Sequence, residues 1–380
     1  MRTAGENGYA AQRLQMANHK YRQIFEKLQK DISSGVYQPG KRLPSEAELV
    51  RRFHVSRMTV FRAMRELQAL GLVTRRVGSG TFASTTSNSR SGSHIFGLLI
   101  PELGQTEIFE AICKGMMEAQ EAMHHSLLWG NAVSNEQDKE RAAEQLCEHY
   151  IVSKVSGVFF APVEFSTNRI QANHRIVAAL DRARIPVVLL DRCLEPFPQR
   201  SKYDLVGIDN RRAGYLVTEH LIKAGAKRIV FVARPNSAPT VDARIAGYRE
   251  ALLLKGEKLK TDMVAIGDVS DPKFIKSVLK RLRPDAFVCA NDLTAGRLMH
   301  TLIALGRGIP EDIRIVGIDD VKYARLLPVP LTTLHQPCRD IGRIAMTVML
   351  DRIANPDLPP RDVLVGCGLV VRKSCGAERA

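Results

Sequence analysis

One stretch, from Pro39 to Phe82, constrains this chain more than any other: PGKRLPSEAELVRRFHVSRMTVFRAMRELQALGLVTRRVGSGTF. Ser45-x-x-Glu48 has the spacing of a capping box, in which a hydroxyl and a carboxylate each take one orphan N–H at a helix start. The short helix it opens carries Leu49, Val50 and Phe53 on one side, and His54-Val55 breaks it. Ser56 then caps a longer helix with Val60, Ala63, Met64, Leu67 and Leu70 at helical spacing, and Gly71 stops it. Val73–Val77 and Thr81-Phe82 read as two strands joined at Gly78-Ser79-Gly80. Helix, tight turn, helix and a two-stranded wing is the plan of a winged helix-turn-helix. Upstream, Tyr21, Ile24, Phe25, Leu28 and Ile32 predict one more helix, whose apolar stripe should pack under the other two.

Charge agrees with this plan. The chain of 380 residues carries +15, and residues 1–83 hold 15 Lys/Arg against 6 Asp/Glu, so most of the excess lies in the N-terminal fifth. Such a basic head suits a polyanion. On the second helix, Ser56, Arg57, Thr59, Phe61, Arg62 and Arg65 point outward near its start, where a reading helix meets base edges. Arginine suits guanine O6/N7, and hydroxyls suit phosphates. Arg75, Arg76, Gly78 and Gly80 of the wing suit a backbone or minor-groove approach.

LPSEAEL, VSRMTV, LQALGLV and GSGTF together resemble the DNA-binding head of the GntR family of bacterial transcription regulators. The resemblance runs from about Lys20 to Phe82. It implies double-stranded operator DNA as partner, with Lys20, Ser45 and Arg57 among the contacts. The sequence departs from that pattern at Phe61, where the family commonly carries arginine. Phe61 touching a thymine methyl and Arg62 standing in for the arginine are both open.

Residues 1–17 are small and polar, a tail; 18–83 are the head; 84–93, STTSNSRSGS, form a Ser-rich linker. From 94 to 375 the texture changes. Apolar runs at Ile95–Ile100, Ser126–Trp129, Val158–Ala161, Val187–Leu190, Leu205–Ile208, Ile229–Val232, Ala286–Ala290 and Ile313–Ile318 alternate with helical segments such as 109–124, 136–150, 211–224 and 243–255. This is an α/β pattern of βαβ units and parallel sheets, and its length calls for two lobes.

Glu102, Asp191, Asp209, Asn291-Asp292 and Asp319-Asp320 fall at or near the ends of these runs. In open α/β sheets, ligands bind outside the carboxyl ends of strands. Carboxylates and amides gathered there suit a hydroxyl-rich ligand. Asp209, Asp292 and Asp320 also read as helix caps. The segments IPVVLLDR, VGIDNRRAGYLVTEHLIKAGAKRIVFV, DARIAGYREAL, PDAFVCAND and IRIVGIDDVKYARLLPVPLTTLHQP resemble the effector domain of LacI-type repressors, which has the fold of periplasmic sugar-binding proteins. A GntR-type head on such a body resembles the arabinose repressor group. The resemblance implies an effector site of Arg244, Asp319, Asn291, Asp191 and Phe109, with Thr240 and Glu102 beside them. It also implies a homodimer whose operator affinity a small ligand, a sugar, controls. Gly267-Asp268 is followed by Val269, not by the aromatic that lactose-type members place there.

Other chemistries lack their signatures. No G-x-S-x-G, Walker loop or H-E-x-x-H is present, so no catalytic residue, cofactor or metal is expected. Seven scattered cysteines without C-x-x-C suit reduced, buried thiols. MRTAGENGYAAQRLQ has no apolar core, and no run reaches membrane-spanning length, so a cytoplasmic protein is expected. The rival readings are a ligand-binding protein with little DNA affinity, a purine-type corepressor-dependent regulator, and a head fused to an aminotransferase-like enzyme.

Overall fold

The computed structural model describes residues 21, 23–32, 34–38, 40–69, 72–76, 80–83, 93–100, 107–119, 122, 124–130, 139–254 and 263–377. The chain divides into two units, Met1–Gly92 and Ser93–Ala380.

In the first unit, α1 covers residues 23–32. It is followed by α2 (Glu46–Phe53), α3 (Arg57–Ala69) and an antiparallel wing of β1 (Val73–Arg76) and β2 (Gly80–Ala83). The capping box forms: Glu48 N–H donates to Ser45 Oγ, and Ser45 N–H donates to Glu48 Oε2 at 2.6 Å. His54 ends α2 with φ 50°, a left-handed cap. Ile24 and Leu28 of α1, Leu49 of α2, and Val60, Ala63, Met64 and Leu67 of α3 bury one core with Val73 and Ala83 of the wing. Each helix thus supplies one apolar stripe, and the wing closes the open side.

The second unit holds two six-stranded sheets. The first lobe contains β3 (Ile95–Leu99), β4 (Ser126–Trp129), β5 (Gly157–Phe160), β6 (Val187–Leu190), β7 (Asp204–Ile208) and β13 (Asp362–Val365), ordered β13-β7-β6-β5-β3-β4 and all parallel. The second contains β8 (Ile229–Ala233), β9 (Val264–Ile266), β10 (Ala286–Cys289), β11 (Arg314–Asp319), β12 (Thr332–His335) and β14 (Gly368–Val370), ordered β14-β12-β11-β10-β8-β9, with only β14 antiparallel. All eight apolar runs are strands. The other four strands, β9, β12, β13 and β14, are three or four residues long, and β12 and β13 mix polar with apolar side chains. The chain crosses between lobes three times: after β7, after β12 and after β13.

Helices cover both faces of each sheet. In the first lobe α4 (Glu107–Glu118) pairs with α11 (Cys338–Ala354), and α5 (Lys139–Val152) and α6 (Arg169–Arg182) lie opposite. In the second, α7 (Asn210–Lys223) pairs with α8 (Pro239–Leu254), opposite α9 (Pro272–Leu282) and α10 (Asp292–Ala304). The two pairs share a device. A Cβ on Gly115 would stand 2.0 Å from Arg339 O, and one on Gly342 2.0 Å from Ile112 O. In α7 and α8, Gly214 and Gly247 would meet Arg244 O and Arg211 O at 2.0 and 1.8 Å. Backbones this close exclude every side chain but hydrogen.

All seven cysteines are free thiols, and Cys289 is fully buried. Among the described residues no helix is long and apolar enough to cross a membrane, and no His/Cys/Asp/Glu group is placed to hold a metal.

Candidate functional site

The basic head presents α3. Val60, Ala63, Met64 and Leu67 face the core, which turns Met58, Phe61, Arg62 and Arg65 outward at 100° per residue. Arg57 is 85% exposed, with its Nε 3.9 Å from Glu46 Oε2. Ser56 and Thr59 bind each other: Thr59 N–H donates to Ser56 Oγ, and the hydroxyls lie 2.8 Å apart. Three expectations change here. Arg62 lies over the Tyr21 ring at 4.6 Å, drawn toward the start of the first helix by a cation–π contact, so it does not simply replace a missing arginine at Phe61. The Ser45 hydroxyl is engaged in the capping box with Glu48, so its first role is structural. Gly80 has φ 113°, and a Cβ there would reach 2.7 Å from Arg42 Nε, which makes the wing glycine a seat for Arg42. Lys20, Gly78 and the side chains of Arg75 and Arg76 lie outside the described residues, although the backbone of both arginines runs in β1.

The body's cleft gathers charge from the strand ends. Arg244, on α8, is buried; its Nε donates to Asn210 Oδ1 at 2.8 Å and its Nη1 to Ala290 O at 2.6 Å. Its Nη2 lies 3.8 Å from Asp319 Oδ1. Asp191, just past β6, accepts from Gln336 Nε2 at 2.8 Å. Each lobe therefore ties one of these side chains to a crossing segment: Arg244 to Asn210 after β7, and Asp191 to Gln336 after β12. Asp191 (φ 65°), Asp319 (φ 127°) and Asp320 (φ 57°) all sit in the left-handed region, at about 1–3 kcal/mol each. Such strain concentrated at strand ends marks a site.

Burial holds the Asp319 carboxyl well above the usual carboxylate range, against the pull of Arg244, and Asp292, Asp191 and Glu164 push it further up. Asp319 Oδ1 and Gln336 Oε1 are buried with no hydrogen-bond partner among the described residues. Both residues line a cavity of about 420 Å³ together with Glu107, Ile108, Val321 and Lys322. Asp191 and Arg244 stand one contact back, reaching its wall through Gln336 and Asp319. The lobes also meet directly. Phe165 N–H donates to Asn236 O at 2.8 Å, Ala238 N–H to Glu164 Oε2 at 3.2 Å, and Lys322 N–H to Glu107 Oε2 at 2.7 Å.

Other candidates take different places. Phe109 is 1% exposed beneath the Arg192 guanidinium, 5.3 Å from its ring, so it is core and not an open lining aromatic. Asn291 caps α10, its Oδ1 accepting from Thr294 N–H and Oγ1, which leaves only its Nδ2 for other partners. Asp292 is not a cap. It is buried and accepts from Thr333 Oγ1 and Val321 N–H, beside Gly317, where a Cβ would collide with it. Nor does Asp320 cap a helix; it pairs with Arg372 at 2.6 Å and His335 at 3.1 Å. Asp209 does cap α7. Thr240 is buried in the first turn of α8, away from the cavity lining. Val269 is buried core, and Glu102 lies outside the described residues.

Sequence reasoning missed Gln336, Asn210, Arg192 and Glu164. The last two form an ion pair at 2.7 Å. Arg192 follows the end of β6 just as Asp191 does, and the strand-end rule extended to bases finds it; Gln336 follows β12, which no apolar run announced.

Comparison with known proteins agrees with both halves. Residues 20–83 match the gntR family of bacterial regulatory proteins, and 218–375 match the periplasmic binding protein-like domain. The arabinose metabolism transcriptional repressor of Geobacillus stearothermophilus is 29% identical over 367 residues, 93% of this chain and 97% of that protein. The transcriptional regulator CelR, solved with cellobiose, superposes with a TM-score of 0.63 at 25% identity, covering 84% of this chain and 91% of that one. Transcription regulator CcpA of Lactococcus lactis shares the fold at a TM-score of 0.64 and 22% identity, over 74% and 99% of the two chains. The chain is thus a transcription regulator that joins a GntR-family helix-turn-helix head to a periplasmic-binding-protein-like body of the LacI type, homologous along its length to arabinose metabolism repressors.

Proposed function

We propose that this regulator represses transcription from a pseudo-palindromic operator as a homodimer, and that a neutral, polyhydroxylated ligand of sugar size between the lobes of the body controls its grip. One observation carries the ligand assignment: Asp319 Oδ1 and Gln336 Oε1, both buried on residues that line one cavity, accept no hydrogen bond among the described residues. Leaving such groups unpaired costs about 1–3 kcal/mol each, and ligand hydroxyls would recover it. The lining carries carboxyl groups (Glu107, Asp320, Asp340) and cations (Lys322, Arg339, Arg343) alike, so the unpaired acceptors, and not a net charge, are what favour hydroxyl donors. A purine calls for a stacking surface, and no Phe, Tyr or Trp stands among the described lining residues. The volume suits a mono- or disaccharide.

The control mechanism follows from the crossings. Ligand contacts to Asp319 and Gln336 act on residues tied, through Arg244 and Asp191, to two of the three interlobe segments. A ligand that binds one lobe arrangement better shifts the population toward it. If that arrangement holds a dimer's two heads at the wrong spacing, DNA affinity falls by the same coupling free energy. A single winged helix reads too short a site alone, hence the dimer. Isothermal calorimetry against neutral sugars, sugar phosphates and purines, paired with operator anisotropy, tests both parts. Heat with a neutral sugar, absent in Asp319→Ala, with a concerted change in DNA affinity is the expected result. No binding to any sugar, or binding that leaves DNA affinity unchanged, overturns it.

A further inference from the structure

The outward face of α3 carries two large apolar side chains among its arginines. Met58 is 73% exposed and Phe61 39%, and they stand three residues apart on one face. Arg65 is exposed one turn beyond Phe61, and Arg57 one residue before Met58. Arg62, next to Phe61, is directed onto the Tyr21 ring. Two large apolar side chains thus stand where base edges would lie, flanked by arginines rather than hidden by them. On a helix that enters the groove, such side chains meet base edges directly. The only apolar group on a major-groove edge is the C5 methyl of thymine.

Resting on the reading of α3 as the helix that enters the groove, we propose that Met58 and Phe61 are specificity-determining residues that read thymine methyls in each operator half-site. Arg57 and Arg65, on either side, supply phosphate or guanine contacts. Direct readout is therefore split between methyl burial and arginine hydrogen bonds.

The test uses the full-length protein and duplexes selected by it from a randomised pool. Each thymine of the selected site is replaced in turn by deoxyuridine, which removes only the methyl, and affinity is read by fluorescence anisotropy at fixed salt. One or two positions per half-site should weaken by about fourfold each, the effect of burying one such carbon. In Phe61→Ala and Met58→Ala the thymine–uracil difference should vanish at those positions while salt-dependent binding persists. Phe61→Arg, selected afresh, should exchange a thymine for guanine. The proposal fails if no thymine-to-uracil change matters, or if the difference survives in both alanine variants. It also fails if those variants change self-association and not base preference, which would make the patch a contact between copies. A protein that selects no sequence and binds no duplex would instead overturn the DNA-binding reading itself.

Discussion

Replacing Arg244 by alanine removes the buried tie between α8, the first interlobe crossing and the ends of β10 and β11. The guanidinium gives two short charge-assisted hydrogen bonds, to Asn210 Oδ1 at 2.8 Å and Ala290 O at 2.6 Å, and faces Asp319 at 3.8 Å. Bonds of this kind contribute about 1.5–3 kcal/mol each, and breaking a buried ion pair costs about 3–5 kcal/mol when the partner stays charged. Asp319 need not stay charged, because burial already raises its proton affinity and losing Arg244 raises it further. The lower end, about 3 kcal/mol, is therefore expected. Urea denaturation followed by circular dichroism should show the midpoint falling by about 1 M or more. Arg244→Lys keeps the charge but cannot reach Asn210 and Ala290 as a planar fork, so it should lose about 2 kcal/mol. Calorimetry should find ligand binding abolished in both. An alanine variant within about 1 kcal/mol of the parent that still takes up ligand would refute the assignment of Arg244 as the tie between α8, the first crossing and the ends of β10 and β11.

Three further outcomes follow from the geometry. Gly214→Ala or Gly247→Ala places a Cβ within 2.0 Å of a backbone oxygen and forces α7 from α8, so a loss of about 3 kcal/mol, roughly 6–12 °C in Tm, is expected by calorimetric scan; Gly366→Ala, with open space around it, should change nothing. Burial raises the folded pKa of Asp292 above its unfolded value, so this group stabilises the fold at low pH and that contribution is lost as pH rises through the folded pKa. Asp292→Asn can accept from Val321 N–H on Oδ1 and donate Nδ2 to Thr333 Oγ1, the latter with direction reversed, and its Tm relative to the parent should climb from pH 4.5 to 7.5; parallel curves would remove the buried-acid argument. Arg62→Ala should lower head stability by about 0.5–1 kcal/mol, the worth of an exposed cation–π contact, and leave the selected operator sequence unchanged; an altered sequence would return Arg62 to the reading face.

Periodicity and punctuation made the head legible. Ser45-x-x-Glu48, the stripe of α3 and the wing glycines are local signals, and local hydrogen bonds and one shared core realise them. The long strands of the body were equally legible, because a strand buried on both faces must be a continuous apolar run. β12, β13 and β14 were not. DVLV and GLV lie at sheet edges, where side chains are only partly covered, and TTLH is buried but spends two of its four positions on threonines, so no apolar run forms.

Strand ends drew attention to Asp191, Asn291 and Asp319, but which atoms are engaged there could not be read. Whether Arg192 covers Phe109 and whether Arg62 turns to Tyr21 depend on neighbours 83 and 41 residues away in sequence, brought together only by packing. The amino-acid order alone determined the elements, the two-part plan and the sign of the head's charge, since each rests on spacing within a few residues. Tertiary structure alone decided that Asp319 and Gln336 would share a cavity with empty lone pairs, because burial and hydrogen-bond satisfaction belong to the assembled fold and not to any segment of it.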